Sequence, residues 1–176
     1  MLMHKIAGIA PVFESFGKKF NQMEVKQLEI KTALQIQKPA AEVYEAIADP
    51  SKMSNYFISH GSGRMEEGRQ IMWRFPEFDF EFPVRVRRMD KPGYISFNWD
   101  ADDIELLVEI TLESRPDNST LVTVTEKSRE ADEAGLKWLS GNTAGWANFL
   151  ACLKAWCEYG INLRKGAFDY LADKKQ

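Results

Sequence analysis

The sequence predicts an α+β fold in which a strongly twisted antiparallel sheet curls around one long C-terminal helix. Three observations carry that prediction. Segments with period-two alternation and one apolar face fill Val25 to Gln37 and, repeatedly, Gln70 to Glu130. Short turns join the later segments, which implies antiparallel neighbours. In Ala144 to Gly160, Trp146, Phe149, Leu150, Leu153 and Cys157 recur at spacings of three and four, the period of one helix face. Strands grouped ahead of a helix argue for α+β over alternating α/β. One apolar face per strand argues for a sheet covered on one side.

Each element follows from its residues. In 25–37, Leu28, Ile30, Thr32, Leu34 and Ile36 point one way and the glutamines and charges mostly the other, a half-buried strand. Pro39 stops it and suits the first turn of a helix. In P-A-A-E-V-Y-E-A-I-A, Val43 and Ile47 with Tyr44 or Ala40 form an apolar face, and Asp49-Pro50-Ser51 breaks the helix. A short second turn of helix over Ser51–Phe57 follows. Ile71, Trp73 and Phe75 then share one face; Phe80, Phe82, Val84 and Val86 another; Ile95, Phe97 and Trp99 a third. Pro83 lacks an N–H and belongs at an edge or a bulge. Asp90-Lys91-Pro92-Gly93 and Pro116-Asp117-Asn118 are turns. Ile104 to Leu112, and Val122 and Val124 on a segment running to Glu130, supply the last two strands. The helix extends back through Leu139 and Trp138, from about Asp132 to Tyr159, with a soft point at Gly141. Asn142 or Thr143 can cap a start there, and Gly160 can end it in a left-handed conformation.

The chain outside 25–160 reads differently. Residues 1–24 form an extension whose Phe13, Phe16 and Phe20 are helix-spaced, an amphipathic arm on the domain surface. The first residues make a poor signal peptide. Residues 161–176 hold Ile161, Leu163, Phe168 and Leu171 ahead of a charged tail and are expected to add a final turn of helix.

With 176 residues and a net charge of −3, the chain suits one domain with a sizeable core and offers no basic footprint for nucleic acid. No apolar run approaches the ~20 residues of a membrane span, so stable insertion is not expected. Cys152 and Cys157 lie five apart on one helix, diverge by about 140° and should not bridge; two reduced thiols favour the cytoplasm.

P-A-A-E-V-Y-E-A-I-A-D-P-S-K after the first strand, F-N-W after D-K-P-G, and G-W-x-x-F-L-x-x-L-K resemble the START-like (SRPBCC) superfamily. The last of these resembles, more narrowly, its branch related to the C-terminal domain of the activator of Hsp90 ATPase. The resemblance covers Val25 to Gly160. It implies a helix-grip fold: a curved sheet gripping the C-terminal helix, with a cavity between.

Catalytic constellations are hard to find. Gly61-Ser62-Gly63-Arg64 lacks the lysine and following helix of a phosphate loop. His60 beside Ser59 and Ser62 makes poor nucleophile–base geometry. Asp100, Asp102, Asp103 and Glu105 read as a solvated acidic turn before a calcium site. Arg85, Arg87 and Arg88 read as partners for Glu81, Glu105 or Glu109. No cofactor or metal is expected.

The aromatic set is informative. Trp73, Phe75, Phe80, Phe82, Phe97 and Trp99 from the sheet face Trp138, Trp146 and Phe149 from the helix, with Leu153 mid-stripe and Asn142 able to orient a polar group. Each alone is core; together they suit an apolar ligand cavity. The expected cavity residues are Trp73, Phe75, Phe82, Phe97, Trp99, Asn142, Trp146, Phe149 and Leu153. The leading functional reading is binding of a small hydrophobic or lipid-like ligand. The alternatives are a chaperone-interaction module and a cyclase- or hydrolase-type enzyme. Only about 24 residues precede the core, fewer than the upstream domain of an Hsp90 activator, which ranks the chaperone reading lower.

Overall fold

The computed structural model describes residues 26–170. The arm expected over 1–24, and the tail beyond 170, lie outside the described residues. The elements run β1 (Gln27–Ile36), α1 (Ala40–Ala48), α2 (Pro50–Met53), β2 (His60–Gly61), β3 (Gln70–Arg74), β4 (Glu81–Asp90), β5 (Tyr94–Ala101), β6 (Ile104–Ser114), β7 (Thr120–Glu130) and α3 (Glu133–Tyr159). One antiparallel sheet holds the seven strands in the order β1-β7-β6-β5-β4-β3-β2. From β3 onwards each strand pairs with its neighbour in sequence, as short turns require. β1 crosses to β7 at the other edge of that meander. α3 lies against β1 and β7, and α1 packs against β6 and α3.

Alternation decides the core. Ile95 and Phe97 on β5 stand opposite Ile110 and Val108 on β6, and Ile110 stands opposite Val124 on β7; all five are buried. The helices close that face. Val43 and Ile47 from α1, and Trp138, Trp146, Phe149, Leu150 and Leu153 from α3, join the same cluster.

Some local expectations hold and others are corrected. Pro39 takes the N-cap position of α1, with φ −60 and ψ 146, instead of its first turn. Asp49 caps α2, accepting from Ser51 N at 2.9 Å. α3 is one unbroken helix of 27 residues. Its cap is Asp132, whose carboxylate accepts from Gly135 N at 2.7 Å; Asn142 and Thr143 are interior, because the helical pattern does not lapse at Gly141. Gly160 ends the helix at φ 68, the left-handed conformation that glycine adopts without a steric penalty. Phe80 precedes β4 and is 56% exposed, packed on Phe78 and Phe82 at the surface and not on the inner face. Pro83 stands opposite Met72 on β3, but β4 pairs with β5 only from Arg85 on, so the missing N–H breaks no ladder on that side. Residues 161–168 run as irregular chain and turns, and 169–170 enter a 3-10 helical turn where the described residues end.

Candidate functional site

A cavity of about 700 Å³ opens between the sheet, the first half of α3 and the residues after Gly160. Its sheet side is Phe75, Phe82 and Trp99, joined by Phe57 from the loop after α2. Its helix side is Gly141, Asn142, Ala144, Gly145 and Trp146. Arg164 and Phe168 stand across its far side and also line a second hollow of about 560 Å³.

Of the nine residues that the sequence points to, Phe75, Phe82, Trp99, Asn142 and Trp146 line this cavity. Trp73, Phe97, Phe149 and Leu153 are not on its wall; they are buried in the core beneath it. The two groups touch: Trp146 and Phe149 rings lie 5.5 Å apart, and Trp99 and Phe97 5.9 Å. Phe57, which periodicity did not single out, bridges them at 4.7 Å from Phe149 and 5.1 Å from Phe75.

The electrostatic centre lies behind the wall, at a residue that the sequence reading passed over. Glu126 on β7 is fully buried. Its Oε1 accepts from Trp99 Nε1 at 2.8 Å and Asn142 Nδ2 at 3.2 Å; its Oε2 accepts from Trp146 Nε1 at 2.8 Å and Asn142 Nδ2 at 3.1 Å. A buried carboxylate is tolerated only where donors replace its water. Here two indoles and an amide do so, and among the described residues no lysine or arginine is ion-paired to it. The signal was legible: Glu126 continues the inward parity of Val122 and Val124. Just beyond it a bulge skips Ser128 in the pairing with β1, and the parity inverts, so that Arg129 is buried and bonds Asp102 at 2.9 Å.

Arg164 is the second residue that the sequence left unmarked, because no periodic pattern surrounds it. Its guanidinium pairs with Glu77 at 2.8 Å, with side chains only 14% and 9% exposed, and stands 4.7 Å from the Phe168 ring and 5.6 Å from that of Phe57. It ties the segment after α3 to the turn after β3.

Other candidates dissolve on inspection. Ser59 Oγ donates to Arg74 O, and Ser62 Oγ accepts from Met72 N, while His60 is exposed on β2; no nucleophile–base pair forms. The acidic turn is ion-paired within the protein: Arg85 holds Asp100 at 2.5 Å and Glu105 at 2.8 Å, and Arg129 holds Asp102 at 2.9 Å. No cluster of three or more potential metal ligands occurs among the described residues. Cys152 and Cys157 are both free, and burial pushes both thiols up, that of Cys157 to about 11, away from nucleophilic use. No helix among the described residues is long and apolar enough to cross a membrane.

Comparison with known proteins agrees with this fold. The model of the family described as Activator of Hsp90 ATPase homolog 1-like protein matches residues 37–158, more than half of the chain. A crystal structure of a Staphylococcus saprophyticus protein is similar at 32% identity and a TM-score of 0.68, covering 77% of this chain and 96% of that one. DynU16, from the dynemicin biosynthetic locus, is similar at 24% identity and a TM-score of 0.67, covering 75% of this chain and 48% of its own. The Aha1 dimer from Colwellia psychrerythraea is similar at 18% identity and a TM-score of 0.66, covering 77% and 99%. The last two likenesses concern the fold alone. No curated protein matches.

Proposed function

The chain belongs to the Activator of Hsp90 ATPase homolog 1-like family, and from that premise we propose that it binds a small hydrophobic molecule in the cavity beside Trp99 and Trp146. Family and fold leave the ligand open, so the site has to carry the argument. The observation that carries it is the bare helix wall. Gly141 and Gly145 sit inside α3, and a Cβ added at either would meet nothing within 4 Å. Glycine in a helix interior costs about 1 kcal/mol against alanine, so the helix gives up stability where it borders the cavity. Opposite stand Phe75, Phe82 and Trp99, and the space, about 700 Å³, suits a small organic molecule. With two reduced thiols, we read the protein as a cytoplasmic binder.

A chaperone-interaction role rests on the family's description alone, and no contact in this fold favours it over the cavity. An enzymatic role needs a group able to exchange protons with a ligand. Glu126 is the closest candidate, but it lies behind the wall with both oxygens engaged.

The test is a titration with Nile red, a neutral apolar dye, against wild type and Gly145→Phe. The wild type should give a saturable gain in fluorescence. The variant places a ring in open space, so it should lose that gain while its urea midpoint stays level or rises. A wild type without saturable binding, or a variant that binds equally well, removes the cavity reading.

A further inference from the structure

We propose that the cavity selects uncharged ligands ending in a hydrogen-bond donor, such as a phenolic or alcoholic hydroxyl, and that Asn142 sets this preference with its polarity fixed by Glu126. The inference rests on the cavity reading above and specifies its ligand class.

Three polar side chains of the wall surround Glu126, namely Trp99, Asn142 and Trp146; Asn148 and Tyr170 line the cavity at its exposed edge. An indole nitrogen can only donate, and both indole N–H groups are already committed to Glu126, each at 2.8 Å. The Asn142 amide nitrogen is committed too, reaching both carboxylate oxygens at 3.1 and 3.2 Å. A carboxylate accepts and cannot favour the reverse placement, so chemistry fixes which end of the amide faces it. Asn142 Oδ1 is thereby turned away from Glu126, and no hydrogen bond to it is recorded among the described residues. Both indole donors are consumed and the amide nitrogen is held by Glu126, while Asn142 Oδ1 remains as an acceptor to meet a ligand.

Glu126 reinforces this choice. Glu77, Asp100 and Asp102 line the cavity together with Arg164. Each of these carboxylates has its own guanidinium, Glu77 with Arg164, Asp100 with Arg85 and Asp102 with Arg129, so the charge that disfavours an anionic ligand is that of buried Glu126, which no lysine or arginine pairs among the described residues. A fatty acid or other carboxylate would meet an acceptor at the wall and the Glu126 charge behind it. A hydroxyl would find the partner that Asn142 lacks. A site built to hydrogen-bond one polar group discriminates against analogues without it, because its own buried group is then left unpaired. Glu126 is a positioning residue in this scheme and touches no ligand.

The experiment uses three biphenyls of one size in calorimetric titrations at pH 7: 4-phenylphenol, 4-methoxybiphenyl and 4-biphenylcarboxylate. The wild type should bind the phenol about 10-fold more tightly than the methyl ether, the value of one net hydrogen bond, and the carboxylate more weakly still. Asn142→Leu should bind phenol and ether alike. Glu126→Gln supplies the more specific readout. The new amide N–H needs an acceptor; the indoles offer none, so the Asn142 amide must turn round and present its nitrogen to the cavity. Preference should then reverse towards the ether. Should Glu126→Gln fail a urea melt, Asn142→Leu and the wild-type ranking still decide the matter. Equal binding of all three by the wild type overturns the inference and leaves the cavity reading standing, as does a preference for the carboxylate. Binding of none overturns both.

Discussion

Three glycines of one helix should respond in opposite ways to the same substitution. Alanine in place of an interior helical glycine ordinarily stabilises by about 1 kcal/mol, through lower backbone entropy in the unfolded chain. Gly141 and Gly145 meet that condition, because a Cβ there touches nothing within 4 Å. Gly135 does not. A Cβ built on it falls 1.9 Å from Glu130 O and 3.2 Å from Asp132 Oδ1. The first atom is backbone at the end of β7 and cannot swing aside. The second belongs to the side chain that caps α3 by accepting from Gly135 N at 2.7 Å. Relief therefore requires the first turn of α3 to lift off β7 or to lose its cap. Overpacking of this kind costs about 1–3 kcal/mol, and a lost N-cap about 0.5–2 more. The small propensity gain in a first turn does not offset them. Gly135→Ala should thus lose roughly 2–4 kcal/mol, whereas Gly141→Ala and Gly145→Ala each gain up to about 1 kcal/mol. Urea melts with shared slopes read all three. A Gly135→Ala protein as stable as wild type would show that α3 does not abut β7 as described. Loss at Gly141 or Gly145 would show that the helix wall is not bare.

Two further outcomes are expected. Burial holds the Cys157 thiol near 11, so at pH 8 its alkylation by iodoacetamide should run about 100-fold slower than that of an ordinary exposed thiol. A thiol raised by folding stabilises fully below its unfolded value of about 8.5, and that contribution should fade as pH climbs from there towards the folded value; a Cys157→Ala protein should lack this alkaline component. Arg164→Ala leaves Glu77 buried without its cation and unties the segment after α3. Limited proteolysis should cut within 160–170 sooner, and Nile red should leave the cavity faster in stopped flow. Unchanged cutting and release would show that Arg164 ties nothing down.

The sheet and α3 were legible because their signals are periodic and redundant: strand after strand repeats the same parity, and the apolar stripe of α3 persists past Gly141. The cavity was legible only in part. Aromatic residues on two facing elements announced that an apolar interface exists, but Trp73, Phe97, Phe149 and Leu153 carry the same signature as Phe75, Phe82, Trp99 and Trp146. Whether a ring packs or borders a void depends on the opposite wall, and that wall is set by glycines that periodicity treats as weak points. Glu126 was visible as a charge in phase with Val122 and Val124, yet a charge that opens the run Glu126, Lys127, Arg129 and Glu130 reads as solvent-facing until its donors are known. Those donors come from β5 and α3, distant in sequence. Arg164 gave no signal, since a single cation in an irregular segment acquires meaning only from Glu77 and the rings around it.

The pairing of β1 with β7 also bears on how the chain must be made. Gln35 Nε2 reaches Ser119 Oγ, 84 residues further on, and Lys154 Nζ reaches Gln35 O across 119. A ribosome adding about 5–20 residues per second would leave the first strand waiting roughly 4–17 s for its neighbour. Throughout that interval Ile30 and Ile36, destined for full burial, stand on an unpaired strand while the β3–β6 hairpins can already close locally. Vectorial synthesis thus delivers the sheet's centre before its seam, and the seam's first half is the segment most exposed to wrong partners in the nascent chain.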